Sequence, residues 1–170
     1  RLACVTGVQT CALPIFFPEP QALLSEAPII LGLDGSQKMS KSRNNAIMLS
    51  ADEDETAKLI RRAKTDSERL ITYDPENRPE VANLLTLAAL STGRKPEEIA
   101  EEIGDAGAGQ LKKVVTESLN EYLRPLRTRR KELENNLDYI RDVLRAGVAA
   151  AREEAIKTLD EVREVMNMKL

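Results

Sequence analysis

Residues 29–42 read IILGLDGSQKMSKS, a short apolar run followed by a polar and basic loop. The run from Ile29 to Leu33 has no polar alternation and ends at Asp34-Gly35, which favours a strand buried on both faces, as in a parallel sheet. A single buried strand cannot form a sheet alone. Either its neighbours lie elsewhere in this chain, where only residues 46–49 offer a possible second strand, or they are missing from it.

The basic loop, residues 38–42, carries the chemistry. It follows the carboxyl end of the predicted strand, the edge at which open α/β sheets bind ligands. Lys38 and Lys41 can bring two ammonium groups to one polyphosphate, and Ser40 and Ser42 can add hydroxyl and backbone N–H donors. Such a loop suits phosphoryl or adenylyl transfer, although two lysines alone would more often belong to an ordinary solvated loop.

Composition excludes several classes of protein. The chain has 170 residues, of which 42% are hydrophobic and 31% charged, so it is neither a disordered polymer nor a small disulfide scaffold. It has no His, which rules out histidine general bases, triads and metal ligands. With a net charge of −3, nucleic-acid binding would depend on local basic patches. No stretch reaches the roughly 20 apolar residues of a membrane span, so we expect no membrane association.

The first sixteen residues differ from the rest. They carry one charge, Arg1, and hold both cysteines, Cys4 and Cys11. The run from Cys4 to Ile15 resembles the conceptual translation of a sequencing-library adapter, so we interpret residues 1–16 as an artefact or a disordered segment. A signal peptide is disfavoured because polar residues interrupt the apolar core it would need. The absence of cysteine from residues 17–170 fits a reducing cytoplasm.

Helix signals dominate after Leu49. Ser50 and Glu53 have the spacing of a capping box, which predicts a helix over 51–64. A second helix is predicted from Pro79 to a stop at Gly93, and a third from Pro96 to Gly104. Two further glycines, Gly107 and Gly109, predict a loop after the third helix.

Two long amphipathic patterns follow, one over residues 111–133 and one over 140–166. We expect them to pack as an antiparallel helix pair around Asn135-Asn136. Pro125 lies inside the first pattern and is expected to kink or divide that helix, because proline removes a ladder hydrogen bond.

The pentapeptide of residues 38–42 resembles the second signature of the class I aminoacyl-tRNA synthetases. Further stretches resemble the tryptophanyl-tRNA synthetases within that class: 65–67, 73–76, 78–85 and the helical C-terminus as far as 162–164. The resemblance covers about residues 17–170, and the stretch 73–85 disfavours the tyrosine-specific relatives.

The resemblance implies a mostly α fold in three parts. Residues 1–16 stand apart. Residues 17–64 would be the last strand and signature loop of a Rossmann-like class I catalytic domain. Residues 65–170 would form an α-helical bundle domain of the anticodon-binding type.

The resemblance also assigns residues to roles. Lys41 would stabilise the α-phosphate transition state and the leaving pyrophosphate, and Lys38 would help to close the loop over ATP. The backbone of Ile29 would meet the adenine. The nucleotide-binding set as a whole would be Ile29, Lys38, Met39, Ser40, Lys41 and Ser42. No residue is assigned to a metal, because acids such as Glu132 and Asp138 have no His or Cys partners and are expected to be helix surface.

The implied reaction is attack of the tryptophan carboxylate on ATP, with Mg²⁺ present, followed by transfer to tRNA(Trp). The intact family forms homodimers, and a cytoplasmic location is expected. The first signature, which contains His, and the amino-acid pocket are missing from this sequence, so we expect the isolated chain not to activate tryptophan. The alternative is a non-catalytic helical module that binds RNA or a protein through a basic cluster: Arg124, Arg127, Arg129, Arg130 and Lys131.

Overall fold

The computed structural model describes residues 21–25 and 27–168. The segment that we interpret as an artefact, residues 1–16, lies outside the described residues. The chain divides into two units, a larger one of Ser25–Glu132 and a second one whose described residues are 21–24 and 133–168. The predicted boundary between residues 64 and 65 falls inside the larger unit, and the predicted division into domains stays a prediction.

The described residues form five α-helices: α1 (Glu53–Arg62), α2 (Pro79–Thr92), α3 (Pro96–Ile103), α4 (Gly107–Glu134) and α5 (Leu137–Val165). Two short 3-10 helices, Lys41–Arg43 and Gly104–Ala106, lie between them. The mostly α fold is therefore confirmed. The Rossmann-like sheet and the helical bundle stay predictions.

Helix α2 lies at the centre of the larger unit. Half of its residues are buried, because apolar side chains occur all round it and not along one stripe. The side chains of Leu84 and Leu85 pack in one core cluster with Ile60 of α1, Ile99 of α3 and Leu111 of α4. Leu33 belongs to the same cluster, so the core of the helices also holds the segment that leads into the basic loop.

The predicted helix ends are confirmed for α2 and α3. Each begins at its proline, where the missing N–H has no intrahelical partner to lose. Gly93 ends α2 in the left-handed conformation with φ 70°. The predicted capping box of α1 is wrong: the cap is Asp52, whose carboxylate accepts the Glu55 N–H at 2.7 Å. Helix α1 therefore starts at Glu53, two residues later than predicted. The Asp52 side chain accepts a hydrogen bond from a first-turn N–H that has no partner within the helix.

The predicted strand over residues 29–33 is wrong within the part of the chain that the structure describes. Only one isolated antiparallel bridge forms there, between Leu31 and Lys38. Ile29 is 64% exposed, so the run is not buried on both faces. On the side away from Lys38, the N–H and carbonyl of Leu31 pair with the side-chain amide of Asn83 and not with a neighbouring strand. The possible strand at 46–49 is also wrong, because Met48 and Ala51 close a turn with a 2.9 Å hydrogen bond.

Helix α4 differs from its prediction at Gly107 and Gly109, and at Pro125 it excludes the predicted division, whereas the predicted kink stays a prediction. It begins at Gly107 and includes Gly109, so these glycines do not form a loop. Pro125 lies inside the helix without dividing it. Contacts on both sides of the proline explain its tolerance, since Leu123 is buried and Arg127 is hydrogen-bonded to Thr56 of α1.

Helix α5 begins at Leu137, three residues before the predicted pattern, and the side chain of Asn136 caps it by accepting the Tyr139 N–H at 3.2 Å. The structure describes all of α5, and none of its residues is buried. Large apolar side chains such as Leu144 and Val148 are exposed along it. The expected antiparallel pairing with α4 stays a prediction. In the described residues we find no helix apolar and long enough to cross a bilayer.

Candidate functional site

The base of the loop, residues 30–39, is a tight reversal of the chain. The Gly32 N–H donates to the Gln37 carbonyl at 3.0 Å, and the Met39 N–H donates to the Ile30 carbonyl at 2.8 Å. Gly35 occupies the turn with φ 72°, a conformation that a side chain would strain. This reversal places Lys38 opposite Leu31.

Asn83 of α2 holds the loop base from the core. The Leu31 N–H donates to Asn83 Oδ1 at 2.8 Å, and Asn83 Nδ2 donates back to the Leu31 carbonyl at 3.0 Å. The asparagine is only 8% exposed, and its amide pairs with the backbone as a neighbouring strand would. Sequence reasoning missed this role. The available signal is a polar residue among the buried positions Val81, Leu84 and Leu85 of the same helix.

Asn45 closes the loop from its other end. Its Oδ1 accepts the Ser40 N–H at 2.9 Å, and its Nδ2 donates to Asp34 Oδ1 at 3.2 Å. Its backbone carbonyl accepts the Leu33 N–H at 3.0 Å. A Cβ on Gly32 would lie 2.0 Å from Asn45 Nδ2, so glycine is required there for the amide to fit. Sequence reasoning missed Asn45 too.

Asp34 orders the turn of the loop base. Its carboxylate accepts the Ser36 N–H at 3.1 Å and the Ser36 hydroxyl at 2.9 Å. These bonds, and the one from Asn45, stabilise the charged form and lower the pKa of Asp34. The carboxylate that faces the Asn45 amide is therefore ionised at neutral pH.

The loop tip, residues 40–44, carries three of the predicted phosphate-binding residues: Ser40, Lys41 and Ser42. A 3-10 turn over Lys41–Arg43 is closed by Asn44, whose N–H donates to the Lys41 carbonyl at 3.2 Å. The hydroxyls of Ser40 and Ser42 lie 3.0 Å apart. Lys38 and Lys41 are exposed, and no ion pair is found for either within residues 21–25 and 27–168.

The structure thus brings Ser40, Lys41 and Ser42 together on one turn, with Lys38 at its entrance. Met39 differs from them, because its side chain packs partly buried against the core cluster. Ile29 lies before the loop base, and its side chain is exposed. The assigned roles of these residues stay predictions.

The loop base is also tied to the helices. The Lys64 N–H donates to the Leu33 carbonyl at 2.8 Å, and Lys64 Nζ lies 2.8 Å from Glu80 Oε1. This ion pair raises the pKa of Lys64 and lowers the pKa of Glu80. A Cβ on Gly35 would lie 2.5 Å from Glu80 Cγ, so the turn lies directly against α2.

Arg78 organises the segment between α1 and α2. Its guanidinium forms a bidentate pair with Asp66, with distances of 2.7 Å and 2.8 Å. It also donates to the Leu70 carbonyl at 2.7 Å and to the Thr72 hydroxyl at 2.8 Å. The Arg78 hydrogen bond lowers the pKa of Asp66. Asp66 and Arg78 lie in two of the stretches that resemble the tryptophanyl-tRNA synthetases, and these contacts give both residues a structural role.

Two members of the basic cluster take part in the packing of α4 on α1. Arg127 Nη2 donates to the Thr56 hydroxyl at 2.8 Å, and Arg124 Nε lies 3.8 Å from Glu53. Arg129 pairs with Glu132 of its own helix at 2.9 Å. At least three of the five basic side chains in the cluster are therefore paired with other residues of the chain. In the described part of the chain, no group of three or more His, Cys, Asp or Glu side chains could hold a metal ion.

Comparison with known proteins identifies the family of this chain. The sequence model of the family "tRNA synthetases class I (W and Y)" matches residues 5–124, which is more than half of the chain. The chain belongs to this family. The matched range starts at Val5, so it overlaps the segment that we interpret as an artefact; that interpretation stays a prediction, and sequencing of the genomic locus tests it.

Curated relatives of the chain include tryptophan–tRNA ligases. The protein from Aquifex aeolicus is 39% identical over 158 residues, covering 89% of this chain and 39% of the relative. The protein from a Nostoc species is 38% identical over 152 residues, covering 88% and 45%. The chain therefore spans less than half the length of the relatives it matches.

Solved structures give the same result for the fold. The tryptophanyl-tRNA synthetase of Mycoplasma pneumoniae superposes with a TM-score of 0.69 at 24% identity, over 84% of this chain and 46% of that one. The Campylobacter jejuni synthetase, complexed with ADP and tryptophan, superposes with a TM-score of 0.64 at 28% identity, over 87% and 46%. The fold of this chain therefore resembles that of the corresponding part of these synthetases.

Proposed function

We propose that this chain is the part of a tryptophan–tRNA ligase that carries the second phosphate-binding loop and the helices following it. One observation carries the proposal: two exposed lysines, Lys38 at the end of the loop base and Lys41 in the tip, lie beside two adjacent hydroxyls on a base held by buried side-chain amides. Family membership supports the same reaction class.

The loop tip is suited to stabilise negative charge on the phosphates of a nucleoside triphosphate. Lys41 would lie against the α-phosphate and the departing pyrophosphate, where negative charge grows in the transition state. Lys38 would neutralise the outer phosphates and help the loop to close over ATP. Ser40 and Ser42 would donate to phosphate oxygens, and the backbone near Ile29 would meet the adenine. Mg²⁺ would accompany the phosphates, since this ion is commonly held by phosphate oxygens and water.

The remaining partners belong to the same proposal. Tryptophan would be activated by attack of its carboxylate on the α-phosphate, and the aminoacyl group would pass to tRNA(Trp). The described residues offer the phosphate loop, and the tryptophan pocket would come from the rest of a longer enzyme. The isolated chain is therefore expected to be inactive. A homodimeric enzyme acting in the cytoplasm completes the proposal.

A chimaera tests the proposal. The part of the Aquifex aeolicus relative that precedes the matched region is joined to Phe17, and tryptophan-dependent pyrophosphate exchange is measured. Lys41→Ala is expected to lower the rate by about 100- to 1000-fold, the usual cost of removing one transition-state donor. Lys58→Ala, at an exposed position of α1, serves as the matched control and should leave exchange unchanged.

An unchanged rate in the Lys41→Ala chimaera would contradict the enzymatic proposal. It would favour the non-catalytic module, whose RNA or protein binding would then be sought at the basic cluster. Exchange catalysed by residues 17–170 alone would contradict the expectation that this chain needs the remainder of the enzyme.

A further inference from the structure

Asn45 is the most deeply buried polar residue beside the loop tip, with 4% of its surface exposed. Each of its three hydrogen bonds reaches a different part of the loop. The side chain binds Ser40 at the start of the tip and Asp34 at the turn, and the backbone carbonyl binds Leu33 at the base. One residue thus joins the parts of the loop that the sequence separates.

The bond to Ser40 fixes the point at which the tip leaves the base. Ser40 directly precedes Lys41, and the residues between Ser40 and Asn45 form a ring closed by the Asn45 amide. Without that amide, the Ser40 N–H would lose the protein partner that it has here, and the tip would keep only the bonds within its own turn. The position of Lys41 relative to the base therefore depends on this side chain.

The chemistry of the site requires an amide and not a carboxylate. Asn45 Nδ2 lies 3.2 Å from Asp34 Oδ1, and hydrogen bonds from Ser36 keep Asp34 ionised. An aspartate at position 45 would preserve the acceptor for Ser40 but place a second carboxylate against the first, which is unfavourable. Only an amide supplies the acceptor and the donor together.

We propose that Asn45 is a positioning residue, which acts through Lys41 by holding the loop tip in the geometry that phosphate transfer needs. This inference rests on the proposed function. Groups that stabilise a transition state act best when they are preorganised, and a displacement of about 1 Å can cost roughly 100-fold in rate. Asn45 itself touches no substrate in this proposal.

The first test measures the loop alone, in the 170-residue chain. Amide hydrogen exchange of Ser40 is compared between the unaltered chain and Asn45→Ala. The Ser40 amide is expected to exchange up to about tenfold faster, the worth of one net hydrogen bond. Asn77→Ala is the matched control, because Asn77 also bonds an aspartate, Asp74, at 2.7 Å but lies away from the loop. Unchanged exchange at Ser40 in Asn45→Ala would overturn the inference.

The second test measures coupling to Lys41 in the Aquifex chimaera. Asn45→Ala is expected to lower kcat of pyrophosphate exchange by about 100-fold, with the KM for tryptophan unchanged. In a chain that already carries Lys41→Ala, the same substitution should cost little more, because residues that act through one another are not additive. Two losses that multiply would show that Asn45 does not act through Lys41.

The third test restores the interaction by exchange of partners. Asn45→Asp alone should reduce kcat, because two carboxylates then face each other. The double variant Asp34→Asn with Asn45→Asp places an amide opposite a carboxylate again and should recover at least about tenfold of that loss. No recovery would contradict the assigned pair.

Failure of the inference and failure of the proposed function give different results. If Lys41→Ala leaves the chimaera fully active, the proposed function fails, and the positioning role fails with it. If Lys41→Ala is inactive while Asn45→Ala is as active as the unaltered chimaera, the proposed function stands and only the positioning role is overturned.

Discussion

Residues 31–45, which comprise most of the loop base, the loop tip and Asn45, are stabilised in a different way from helix α5. The loop has little regular structure, yet side chains distant in sequence hold it, as when Asn83 bonds Leu31 across 52 positions. Helix α5 is regular along 29 residues, and ion pairs such as that of Arg141 with Asp138 link neighbouring turns of the same helix. Local periodicity therefore specifies the helix, whereas long-range contacts specify the loop and the position of its lysines.

The largest expected effect contrasts the core below the loop with the exposed helix. Leu85 is 0% exposed, so Leu85→Ala should reduce the free energy of unfolding by about 2–5 kcal/mol. Leu144→Ala, the matched change on α5, should stay within about 0.5 kcal/mol because Leu144 is already exposed. Urea unfolding of the chain measures both. Equal losses would show that α5 is packed as firmly as the core.

A smaller effect is expected where the loop meets α2. Asn83→Ala removes both partners of the Leu31 backbone and should reduce the free energy of unfolding by about 1–3 kcal/mol. Exchange of the Leu31 amide should quicken in the same variant. Asn120→Ala is the control, since Asn120 bonds outside the loop, to Arg127 and Glu53. If Leu31 stayed protected in Asn83→Ala, the amide would not be what holds the loop base.

The smallest effect concerns pH and the segment beside the loop. Arg78 lowers the pKa of Asp66 below its unfolded value of about 3.9, so the native state binds this proton less readily than the unfolded state does. The stabilisation is complete above that value and is lost as the pH falls through the lower, native pKa. Asp66→Asn should make the free energy of unfolding less dependent on pH below about 4, measured by urea titration at several pH values. An unchanged slope would remove Asp66 from the acid sensitivity of the larger unit.

The helices could be read from the sequence because their signals are local. Pro79 and Gly93 bound α2, and Pro96 and Gly104 bound α3, through backbone properties of those residues alone. The N-terminus of α1 was misplaced because Ser50 and Asp52 both fit a capping pattern, and only hydrogen-bond geometry distinguishes them.

The loop could be predicted only as a motif. Its lysines and serines are identified from the charge of the loop and its place in the sequence, and the resemblance gives them roles, but neither points to the residues that hold the loop. Asn45 and Asn83 become recognisable only when residues far apart in sequence come together, since neither belongs to a periodic pattern. The strand predicted at 29–33 fails for the same reason: its apolar run gives no information about which partner, backbone or side chain, will satisfy Leu31.

The most direct test of the account is single-turnover formation of tryptophanyl adenylate by the Aquifex chimaera, with and without Lys41→Ala. Preincubation with tryptophan, then ATP and Mg²⁺, followed by rapid quench isolates the chemical step. The account predicts adenylate formation in the unaltered chimaera and a rate about 100- to 1000-fold lower in the variant. Equal rates in the two proteins would contradict it.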